Sequence, residues 1–126
     1  MPRSSVLITA RIVDAQAVAE AAGAVRARLG WERELTLLPL DDGAALQVLA
    51  DTELLVTITR PRVLPQIDEI VRLRPDVDTT DIAIPAFWTD AFTPWGAAGD
   101  IGLAMIDEIA AAHGGVADHD PVPPPA

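Results

Sequence analysis

Five residues of this chain carry an indole or phenyl ring, and four of them, Phe87, Trp88, Phe92 and Trp95, fall within nine positions. Rings offer large, rigid contact area at low entropic cost, so such a cluster either forms a local core or anchors an interface or pocket. Asp90 lies inside the cluster and Asp100 just beyond it, placed to act as rim charges around a binding patch. Alternation limits how much of the cluster is core. If Ile82, Ile84 and Ala86 face inward, Trp88 begins on the inner side and Phe87 on the outer one. The strand's own register therefore leaves some of the four rings outside.

Every basic residue except two histidines is arginine, and the arginines include three Arg-X-Arg pairs: Arg26/Arg28, Arg60/Arg62 and Arg72/Arg74. Residues two apart on a helix point to different faces, so the first and third pairs read as solvated charges at helix ends. Arg60-Pro61-Arg62 leaves a strand end, where two guanidinium groups could hold a carboxylate or a phosphate. The acidic run Asp76 to Asp81 begins like a calcium loop but has Asp81 where the turn needs Gly and Phe87 where a bidentate Glu belongs. No metal site is expected there, and the carboxylates read as loop caps. His113 falls at a helix end and His119 in the tail, and the sequence spacing builds no Ser-His-Asp set from them.

The missing residue types narrow the chemistry further. Lys, Asn, Tyr and Cys are absent. That removes Schiff-base chemistry, the P-loop lysine, thiolate ligands, disulfides and a cysteine nucleophile. Nine arginines face nineteen carboxylates, for a formal net charge of -10. Such a surface disfavours nucleic acid, which is bound by neutralising phosphates, and disfavours anionic membranes. Val6 to Ala10 is too short for a signal sequence, and no apolar run spans a bilayer, so a cytoplasmic location is expected.

The elements that must position these groups follow from periodicity. Val6–Ile12 reads as a strand. Asp14 caps a helix over Ala15–Leu29, with Val18, Ala22, Val25 and Leu29 as its apolar stripe and Gly30 as its stop. Three strands follow at Glu34–Leu40, Ala45–Ala50 and Glu53–Thr59, joined by Asp41-Asp42-Gly43 and Asp51-Thr52 as an antiparallel meander. A short helix carries Ile67, Ile70, Val71 and Leu73, opened either by Pro65 or by Thr59 with Pro61, and ended by Pro75. A fifth strand covers Asp81–Phe87 and leads into the aromatic loop. A last helix starts at Thr93-Pro94 or Asp100, with Ile101, Met105, Ile109 and Ala112 inward. Residues 116–126 hold four Pro and two Asp and read as a disordered tail behind a single domain of residues 1–115. Grouped strands predict an α+β fold of about five mostly antiparallel strands with helices on one face, a ferredoxin-like core with an extra strand and a C-terminal helix.

Loss of Met1 would expose Pro2 as a secondary amine ahead of that first strand, with the Arg60 and Arg62 strand end downstream. This arrangement resembles the tautomerase superfamily. The resemblance implies Pro2 as acid or base and Arg60 and Arg62 as binders of a substrate carboxylate. The residues themselves favour another reading, in which no catalytic residue or cofactor is needed. A small acidic protein with a concentrated aromatic loop suits a basic protein partner, in the manner of an immunity or antitoxin protein or a secretion chaperone. Phe87, Trp88, Asp90, Phe92, Trp95 and Asp100 would form its binding surface. A small ligand held in an aromatic-lined pocket, and a homodimer, are compatible arrangements.

Overall fold

Asp14 begins the first helix as its side chain requires: the carboxylate accepts the Ala17 N–H at 2.8 Å. Helix α1 runs Ala15–Leu29 and ends where Gly30 takes the left-handed conformation, φ 68°. Its inward stripe is Ala17, Val18, Ala21, Ala22 and Val25. Leu29, expected in that stripe, is 49% exposed because it falls in the last turn, beyond the sheet beneath.

The structure, a computed structural model, describes residues 2–121. Strand β1 is Arg3–Thr9, β2 Leu35–Leu40, β3 Ala45–Ala50, β4 Glu53–Thr59, β5 Arg62–Leu64, β6 Ala86–Thr93 and β7 Val116–His119. Helix α2 is Ile67–Leu73 and α3 is Ala97–Ala112. The fold is α+β, and all strand pairings are antiparallel in the order β2-β3-β4-β6-β1-β7. Strand β5 also pairs with β6, end to end with β4.

Among the described residues the sheet has seven strands where about five were expected. One addition, β5, comes from the Arg60–Pro65 stretch, whose prolines flank three residues that pair with Ala86–Trp88. The other, β7, comes from the stretch assigned to the tail. Val116–His119 pairs with Ser5–Ile8 along the open edge of β1. Arg74 secures it through Asp118 and Asp120 at 3.2 and 2.8 Å, and Arg3 donates from Nε to the Asp120 carbonyl. Burial works against the Arg74 charge, but the hydrogen bonds and charges of Asp120 and Asp118 outweigh it and raise its pKa. The remainder of the expected tail, residues 122–126, lies outside the described residues.

Both faces of the sheet carry apolar cores. Leu7 of β1 lies with Val18 and Val25 of α1 and Met105, Ile106 and Ile109 of α3. Its neighbours Val6 and Ile8 point the other way and pack with Leu64, Ile70, Ala86 and Trp88. Thus α1 and α3 share one face, as expected, while α2 covers part of the other through Ile70. Ile70 of the short helix packs there with Val6, Ile8, Leu64, Ala86 and Trp88. Helix α3 approaches β4 closely: a Cβ on Gly102 would fall 2.0 Å from the Leu55 carbonyl oxygen.

Candidate functional site

Strand β6 is where the aromatic residues are set. It runs through the segment read as a loop, where Thr89, Asp90, Ala91 and Phe92 pair with Leu7, Val6, Ser5 and Ser4 of β1. Phe87, Trp88 and Phe92 are therefore strand residues, and only Pro94, Trp95 and Gly96 connect β6 to α3. The expected strand residues Ile82 and Ile84 lie ahead of it, outside any strand.

Alternation divides the rings as the sequence predicts. Trp88 is 4% exposed and belongs to the second core. Its indole Nε1 donates to the Asp90 carboxylate at 3.1 Å, and the Arg62 guanidinium lies 5.3 Å from its ring centre. Phe87, on the opposite face, is half-buried. Trp95 is 41% exposed, with the Arg3 guanidinium 5.6 Å from its ring centre. Asp100 is exposed one helical turn further, its N–H donating to the Gly96 carbonyl at 3.0 Å.

Phe92 and Trp95 meet in an apolar groove of about 530 Å³ lined by Pro2, Leu54, Thr57, Phe92, Thr93, Pro94 and Trp95. The groove opens on a larger uncovered surface. The pairing places Leu38 opposite Gln47, Gln47 opposite Thr57, Thr57 opposite Phe92 and Phe92 opposite Ser4. These five residues form a row across five strands, and none is buried or charged. The next row is Thr36, Leu49 and Leu54. Neither apolar core includes either row. Of the aromatic-cluster residues, the structure thus brings Phe92 and Trp95 together at one surface, puts Trp88 in the core with Asp90 on its indole, and sets Phe87 behind the sheet.

The residues implied by the tautomerase resemblance do not converge. Pro2 lines the groove, next to the Arg3–Thr93 pair. Arg60 follows Ile58 in alternation and so lies on the face covered by α1 and α3, while Arg62 lies against Trp88 on the other. Pro2 and Arg60 stand beside β6 positions about five residues apart, roughly 17 Å at strand spacing.

One arrangement was not legible in the sequence. Ser5 Oγ lies 2.7 Å from His119 Nδ1, and His119 Nε2 lies 2.7 Å from Asp107. The set has the composition of a hydrolytic triad but not its geometry. In that triad Nε2 faces the serine and the carboxylate holds Nδ1; here the nitrogens are exchanged. Ser5 is 1% exposed, so no substrate carbonyl reaches it. The chain of contacts ties β7 to β1 and α3, which is a structural role. The tail composition hid it, since β7 exists only once β1 offers an edge.

In the acidic loop, Asp78 accepts from the Thr80 hydroxyl at 2.6 Å and from its N–H at 2.9 Å. These bonds hold the Asp78 pKa below its ordinary value. Among the described residues no cluster of three or more His, Asp or Glu could hold a metal ion. No helix among them is long and apolar enough to cross a membrane. No family model, curated protein or solved structure matches the chain.

Proposed function

We propose that this is a non-catalytic binding protein whose contact surface is the uncovered sheet face, with Phe92 and Trp95 at its centre. The observation that carries this reading is the half-exposed Trp95 at the lip of the apolar groove, beside a row of uncharged residues crossing five strands. A solvated sheet face ordinarily carries charged side chains, and this chain has carboxylates in surplus. Leaving this row uncharged fits contact with another apolar surface. Asp90 alternates with Phe92 on this face, its carboxylate held by the Trp88 indole.

The occupant that fits is a protein with an apolar contact centre and a basic periphery. The formal charge of -10 repels a second copy and attracts a cationic partner. Association is then fast at low salt and slower as screening rises. Capture from a lysate by the wild-type chain and by Trp95→Ala tests this. A basic protein retained by the wild type and lost with the variant, at unchanged thermal stability, supports the proposal. Dimerisation of the purified chain through the same residues would assign the face to a second copy and overturn it.

A further inference from the structure

Arg60, like Arg3, Arg11, Arg26 and Arg62, forms no ion pair among the described residues, and it faces an apolar cavity. Arg28, Arg33, Arg72 and Arg74 each pair with a carboxylate. Among the described residues Arg60 has no carboxylate partner, and its guanidinium donates from Nη2 to the Asp42 carbonyl at 3.4 Å. It is exposed, yet it lines a cavity of about 390 Å³ between the start of α1 and the ends of β3 and β4. Val13, Val18, Leu46 and Ile58 give that cavity an apolar wall. The volume lies within the range of small-molecule sites, which combine apolar walls with a few orienting polar groups.

Among the described residues Arg60 is the only cation lining this cavity, and Asp14 is the only carboxylate. The Asp14 side chain is engaged as the α1 cap. A guanidinium at an apolar cavity suits a ligand with one carboxylate and a short aliphatic body. Its carboxylate can take two parallel N–H bonds from Arg60, and its chain can replace water along the apolar wall. We propose that this cavity binds a small aliphatic carboxylate, with Arg60 as its anion-binding residue. The site is separate from the Trp95 groove, and the two share no lining residue.

Octanoate is the probe, with octanol as its uncharged counterpart. Calorimetric titration and thermal shift are measured for the wild type, Arg60→Gln and Arg62→Gln. Arg62 stacks on Trp88 and is the control for lost positive charge. The expected result is saturable octanoate binding with a raised melting temperature in the wild type and Arg62→Gln, and at least tenfold weaker binding in Arg60→Gln. Octanol should bind the wild type at least tenfold more weakly than octanoate. No octanoate binding to the wild type, equal affinity for octanol, or unchanged affinity in Arg60→Gln would each overturn the assignment. A variant that unfolds is recognised by its melting curve, and the octanol comparison then decides on wild-type protein alone.

Discussion

Two side-chain oxygens show how differently this protein treats its polar atoms. Thr89 is fully buried in β6, and its hydroxyl has no hydrogen-bond partner. A buried hydroxyl without a partner costs about 1–3 kcal/mol. Thr89→Val keeps the shape and removes that penalty, so its melting temperature should equal or exceed the wild-type value; a fall of several degrees would show that the hydroxyl is satisfied. Asp78, by contrast, is exposed and doubly bonded by Thr80. The Thr80 side chain is the larger cause of its lowered pKa and the backbone N–H the second. Since the folded value lies below the unfolded one, this interaction is fully present above the unfolded pKa and is lost as pH falls through the folded one. In an NMR titration, Thr80→Ala should move the Asp78 midpoint up toward the ordinary carboxylate value. An unmoved midpoint would remove the hydroxyl as the cause.

At the scale of elements, glycine separates two helices with opposite demands. Gly102 seats α3 on β4, and an added methyl would meet the Leu55 carbonyl at 2.0 Å. Gly23 in α1 is exposed, and an added methyl there meets nothing within 4 Å. Thermal denaturation should therefore show Gly102→Ala destabilised by roughly 3 kcal/mol. Gly23→Ala should be stabilised by about 1 kcal/mol, from helix propensity alone. Equal responses would contradict the close packing of α3. The same elements show what a sequence can disclose. Helix α1 and strands β3 and β4 matched the expected boundaries because cap, turn and periodicity agree there. Strand β6 was displaced, since the prolines and rings around it imitate a loop until the flanking strands are in place. Strand β7 was missed because its four residues form a strand only by pairing with distant β1. The split of the rings followed from alternation, but the uncharged row across five strands depends on register, which the linear sequence does not display.

For the whole molecule, the central contrast is between a strongly acidic chain and an uncharged row across one sheet face. The helix-covered face and the α2-covered patch bury their apolar residues internally. The remaining face ends at the Trp95 groove, where apolar surface meets water. The most direct measurement pairs the stability and the partner capture of Trp95→Ala in one preparation. An exposed substitution changes stability by about 0.5 kcal/mol or less, whereas loss of an interface anchor costs 2 kcal/mol or more, at least tenfold in affinity. The account predicts a melting temperature within about 2 °C of wild type together with loss of a basic partner. Capture that survives the substitution, or capture and stability that fall together, would contradict it.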